Sequence, residues 1–105
     1  MNADEFWQII DSVHSASGGD MDRKCELLRE RLRGLGDQDL RDFINHFDRA
    51  DNKAYSRPLW GAAYVMHGGC GDDSFSDFRA TSISQGRKTY EAALADPESL
   101  TAKQI

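Results

Sequence analysis

The sequence predicts an all-α fold: a compact single-domain bundle of about five to six short helices. The domain takes in residues 1–105, with 1–100 as the core and 101–105 as a tail. Three observations predict it. Apolar residues recur at +3 and +4 spacing in one segment after another. Glycine-rich turns separate those segments, at Gly18-Gly19, Gly34 with Gly36, Gly68-Gly69 and Gly86. No alternating run rich in Val, Ile and Thr is present to build a sheet.

The first segment runs from about Asn2 to Ala16. Asn2 with Glu5 forms an N-x-x-E start, close to a capping box, and Phe6, Ile9, Ile10 and Val13 form its apolar stripe. The second runs from Asp20, an N-cap residue, to Arg33. Met21, Cys25, Leu28, Leu32 and Leu35 make its expected inner face. Its many Arg and Lys residues read as a solvated face, with Glu26–Arg29 and Glu30–Arg33 at pairing distance along the helix. The third starts at Asp37 and fades around Asn52, with Leu40, Phe43, Ile44, Phe47 and Ala50 facing inward.

Pro58 opens the fourth segment, where a first helical turn tolerates it. The run Leu59 to Met66 is apolar all round, which predicts a short, buried central helix rather than a strand. The fifth runs from about Asp73 to Gln85 with Phe75 and Phe78 on its inner face, and the sixth from Arg87 to Ala95 with Tyr90, Ala93 and Leu94.

Composition narrows the function classes. Hydrophobic residues make up 39% of the chain, enough for one packed core. The formal net charge of -5 repels phosphate backbones, so nucleic acid is not an expected partner, and basic proteins or cations fit better. No run resembles a leader or a membrane span. Two isolated cysteines, Cys25 and Cys70, form no disulfide framework, and a reducing cytoplasmic setting is expected.

The densest polar stretch is His67-Gly68-Gly69-Cys70-Gly71-Asp72-Asp73. The H-x-x-C spacing could reach zinc, but it lacks the paired Cys/His pattern of zinc sites. Cys70 with His67 as base would be a nucleophile, yet no third orienting residue is identifiable. A purely structural account covers most of these residues. Asp73 or Ser74 caps the fifth segment, Asp72 sits at its positive end, and the glycines make the turn. No metal, no cofactor and no catalytic residue is therefore expected. A second constellation joins Arg79 with Gln85 and Arg87, whose guanidinium groups could clamp an anion or pair with Asp72 and Asp73. The candidate binding residues are Trp60, Asp72, Asp73, Arg79, Gln85 and Arg87.

The stretch Leu59-Trp60-Gly61-Ala62-Ala63-Tyr64, with Gly68-Gly69-Cys70, Asp72-Asp73, Phe75, Phe78-Arg79 and Ser84-Gln85-Gly86-Arg87, resembles the bacterial family known as domain of unknown function 4240. So do the opening Glu5 to Asp11 and the close Ala92 to Leu100. The resemblance implies a bacterial, intracellular, mostly helical domain and brings no established activity. Two features depart from it. Thr81-Ser82 stand where the family carries a Trp-Leu pair, and the family's further helix past Asp96-Pro97 has no counterpart before Ile105.

These observations lead to a protein-binding module, with toxin-neutralising immunity proteins as an analogous class. The alternative is a small enzyme or ligand-binding domain using the Gly-rich loop with Asp72, Asp73 and Arg79. The loss of bulk at Thr81 and Ser82 further suggests an exposed apolar patch near Phe75, Phe78 and Tyr90, open to a partner or a second copy.

Overall fold

The computed structural model describes residues 1–98 and Leu100; the expected tail, 101–105, lies outside them. Six α-helices follow one another, with no strand among the described residues. They are α1 (Ala3–Ser17), α2 (Met21–Arg33), α3 (Asp37–Ala54), α4 (Arg57–His67), α5 (Asp72–Ser84) and α6 (Arg87–Ala95). The described residues span 41 × 25 × 23 Å, so the short axes hold about two helix diameters.

Local chemistry sets most boundaries. Asn2 caps α1 through a complete capping box with Glu5, and Gly18, in the left-handed region at φ 62°, ends it. Asp20 caps α2 by accepting from the Arg23 amide. Ser56 caps α4, Pro58 occupies its first turn, and Gly68 at φ 66° closes it.

The core gathers around α1 and α5. Phe6, Trp7, Ile9 and Ile10 of α1 meet Phe43, Ala50 and Ala54 of α3, Leu59 and Ala63 of α4, and Tyr90 and Ala93 of α6. Phe75 and Ile83 of α5 have no exposed surface. Helix α5 packs on α1, α3, α4 and α6, while α1 and α2 form a hairpin. The Tyr90 hydroxyl donates to the Ala50 carbonyl, 2.8 Å away, which satisfies a polar group inside the core.

Four expectations are corrected. First, the inner stripe of α2 holds only in its second half. Leu28, Leu32 and the following Leu35 pack on the core, while Met21 and Cys25 are exposed. Lys24 is the residue buried at the start, 5% exposed, because α2 is rotated to lay its stem on the bundle. The ion pair formed on the outer face is Arg23–Glu26, at 2.9 Å.

Second, α4 is not a central helix. It buries Leu59, Ala62 and Ala63 but leaves Tyr64 and Val65 exposed, Val65 by 68%. Being apolar all round places a helix at the centre only when neighbours cover every side, and α4 rests chiefly on α5. Third, neither Asp73 nor Ser74 caps α5. Gly71 holds the cap position without a side-chain bond, and Asp72 already lies in the first turn. Fourth, no apolar patch opens at Phe75, Phe78 and Tyr90, because Phe75 and Tyr90 are core residues and Phe78 is half-buried. The Thr81-Ser82 pair resolves differently at each position. Thr81 faces outward, and the buried Ser82 turns its hydroxyl onto the Phe78 carbonyl at 2.9 Å.

Candidate functional site

The joint between α3 and α4 places Tyr55 over the start of α5. Its ring stands edge-on to Trp60, 5.6 Å between centroids, and tilted against Phe75 at 5.7 Å. Trp60 stacks on Phe75 at 4.9 Å and 13°. The Trp60 indole Nε1 donates to the Cys70 carbonyl at 2.8 Å, tying the glycine-rich loop back to α4. Gly68 and Gly69 make that loop possible, since both carry positive φ and both donate their amides to the Tyr64 carbonyl.

Arg79 rises from α5 into this aromatic cluster and is 6% exposed. Its guanidinium carbon lies 4.5 Å from the Tyr55 ring centroid and 4.7 Å from that of Phe75. Its Nε donates to Asp51 Oδ1 of α3 at 2.9 Å. Two rings and a carboxylate therefore offset the desolvation of the charge. The buried Nη1 has no protein partner. The Tyr55 hydroxyl donates to Asp72 Oδ1 at 3.0 Å, and that bond holds the phenol above its ordinary pKa.

The six candidate residues divide. Trp60, Asp72 and Arg79 share this cluster. Asp73 is exposed on the first turn of α5. Gln85 is the C-cap of α5, its backbone N–H donating to the Ser82 and Ile83 carbonyls. Arg87 belongs to a separate junction. Its Nη1 meets Asp4 at 2.7 Å and its Nε meets Glu91 at 3.0 Å. Its backbone amide donates to Asp11 at 2.9 Å. The carboxylate bonds, to Asp4 first and Glu91 second, keep the Arg87 guanidinium charged more firmly than in water. Arg79 and Arg87 thus do not form one clamp, and neither pairs with Asp72 or Asp73.

Sequence reasoning missed Asp51 and Tyr55. They sit four residues apart on one face across the end of α3, and only the fold shows that this face meets Arg79. Cys70 is buried with its thiol toward the Gly71 carbonyl, and both cysteines are unpaired. Among the described residues, no three His, Cys, Asp or Glu side chains gather as metal ligands.

Two open grooves lie near this cluster. One, of about 480 Å³, is lined by His67, Gly69, Ser74, Asp77, Phe78 and Thr81. The other, of about 550 Å³, runs along the outer side of α4 past Pro58, Gly61, Ala62, Val65 and Glu98. None of the six candidate residues lines either groove.

Comparison with known proteins adds the family and nothing finer. The sequence profile of the family described as protein of unknown function (DUF4240) matches residues 1–105. No curated protein and no solved structure matches the chain.

Proposed function

The chain belongs to the DUF4240 family over its whole length, and from that footing we propose that it is a protein-binding module. One observation carries the reading. The residues that would serve a ligand site at the glycine-rich loop are bonded to neighbouring segments, Arg79 to Asp51 in the interior, Trp60 to the Cys70 carbonyl, and Asp72 to Tyr55 at the surface. A pocket for a small substrate needs polar groups that converge on open space, and here they brace three helices against one another. The exposed Tyr64, together with Val65 in the wall of the groove along α4, supplies an apolar and aromatic surface of the kind that interfaces use.

The net charge of -5 favours a basic protein as partner and disfavours nucleic acid. By analogy with toxin-neutralising immunity proteins, a basic toxin is the class of partner that this reading names.

The test is capture of partners from the native bacterium on the full chain, identification by mass spectrometry, and reconstitution from purified components by calorimetry. A purified protein binding at one-to-one stoichiometry supports the module. Failure of every purified candidate, together with a small molecule that copurifies stoichiometrically and is lost in an Asp72→Asn variant, would favour the ligand-binding alternative.

A further inference from the structure

We infer that the groove between the C-terminal end of α4 and the outer face of α5 receives an arginine side chain of a basic partner protein. The inference rests on the protein-binding reading and names its surface and its chemistry. Three independent features of the groove favour a planar cation. Phe78, half-buried, presents an aromatic wall to which a guanidinium is attracted through the ring quadrupole. Asp77 contributes a carboxylate that has no hydrogen bond or ion pair among the described residues. The end of α4, at His67 and Gly69, brings the negative pole of that helix to the rim.

The opposing charges are small. The positive pole of α5 is met by Asp72 and Asp73 in its first turn. Arg79, the one basic residue of α5, is turned into the core and bonded to Asp51. His67 is the one lining residue able to carry positive charge, and its ring stands edge-on to Phe78 at 5.9 Å. Thr81 keeps the groove open, because a large side chain there would occupy the space beside Phe78.

The experiment titrates the isotope-labelled full chain with an octa-arginine peptide, using octa-lysine and octa-glutamate as comparisons, and follows backbone amide shifts. Saturable shifts are expected at Gly69, Asp77, Phe78 and Thr81, with octa-arginine tighter than octa-lysine and octa-glutamate silent. Asp77→Asn should weaken octa-arginine by about fivefold, the worth of a partly exposed charge pair. Asp22→Asn, on α2, should leave it unchanged, and Thr81→Trp should abolish the localised shifts. Should Thr81→Trp fail to fold, Asp77→Asn against Asp22→Asn still decides. Shifts spread evenly over the acidic surface, or equal weakening by the two Asp variants, would overturn the groove assignment. A reconstituted protein partner that binds the folded Thr81→Trp variant as well as the parent would also overturn it while leaving the module reading intact. Localised arginine binding without any protein partner would sustain the chemistry of the groove and remove the module reading.

Discussion

Arg79 lies under Tyr55, its guanidinium carbon 4.5 Å from the ring centroid, while Tyr55 reaches over it to bond Asp72 at 3.0 Å. The arginine is held between Tyr55, at the end of α3, and Phe75 of its own helix α5, and is fastened to α3 again by Asp51. Arg79→Ala leaves the carboxylate of Asp51 without its partner and a hollow between two rings. It should cost about 3 kcal/mol in urea unfolding. Arg79→Met combined with Asp51→Asn should cost distinctly less, because no charge is then stranded. Equal losses in the two proteins would show that the ion pair is not what the cluster depends on.

Lys24 gives a pH signature. Burial holds its amine below the ordinary lysine pKa, and among the described residues its one hydrogen-bond partner is the Ser84 hydroxyl at 3.3 Å. The folded state therefore binds fewer protons than the unfolded chain between the folded and unfolded lysine values. Stability contributed by this group rises with pH through that window and is at its lowest below the folded value. Lys24→Met should raise stability at neutral pH by about 0.5 kcal/mol, or about 2–4 °C in melting temperature. It should also flatten the alkaline rise. A destabilised variant with an unaltered pH profile would contradict the account.

Asp11 and Gly86 form a junction between α1 and α6. Gly86, at the N-cap of α6, offers no side chain, and Asp11 supplies the acceptor for the Arg87 amide instead. Gly86 adopts φ +104°, and a Cβ there would lie 2.7 Å from Asp11 Oδ1. Asp11→Ala should cost about 1 kcal/mol as the loss of a cap. Gly86→Ala should cost about 2 kcal/mol from strain and displacement of the carboxylate. The double variant should cost less than the sum, since the collision needs both side chains. Strict additivity in thermal denaturation would argue against the junction.

Two residues near helix starts, one amide and one acidic, should differ in what their loss costs. Asn2→Ala removes a cap whose side chain accepts from Glu5 at 2.8 Å, and should cost about 1 kcal/mol. Asp73→Ala removes no cap and should change stability by less than about 0.5 kcal/mol. The pair can be compared in one set of chemical denaturation curves, where the ordering of the midpoints is the readout.

The two thiols should separate by reactivity. Cys25 is exposed and Cys70 is buried. A thiol reagent should modify Cys25 in the native protein and Cys70 only on unfolding. Modification of both at equal rates without denaturant would mean that the loop from Gly68 to Asp72 opens readily.

The helices were readable from the residues because the chemistry that makes them is local. Asn2 with Glu5, Asp20 with Arg23, and Gly18 and Gly68 act within a turn of the backbone, so their consequences appear wherever the pattern appears. The apolar spacing of α1 and α3 likewise named Phe6, Ile9, Ile10 and Phe43 as core before any fold was known, although it also named Ile44, which the fold leaves exposed. The family followed from motifs that span the chain. Tertiary structure decided the rest. Arg79 meets Asp51 from 28 positions away, Lys24 meets Ser84 from 60, and Arg87 meets Asp4 from 83. One sequence carries no signal for such pairings, since any of several carboxylates or hydroxyls could have answered each cation. The same holds for exposure. Composition made α4 apolar, but only its place at the edge of the bundle left Tyr64 and Val65 in water, because burial depends on which neighbours arrive and not on the helix itself.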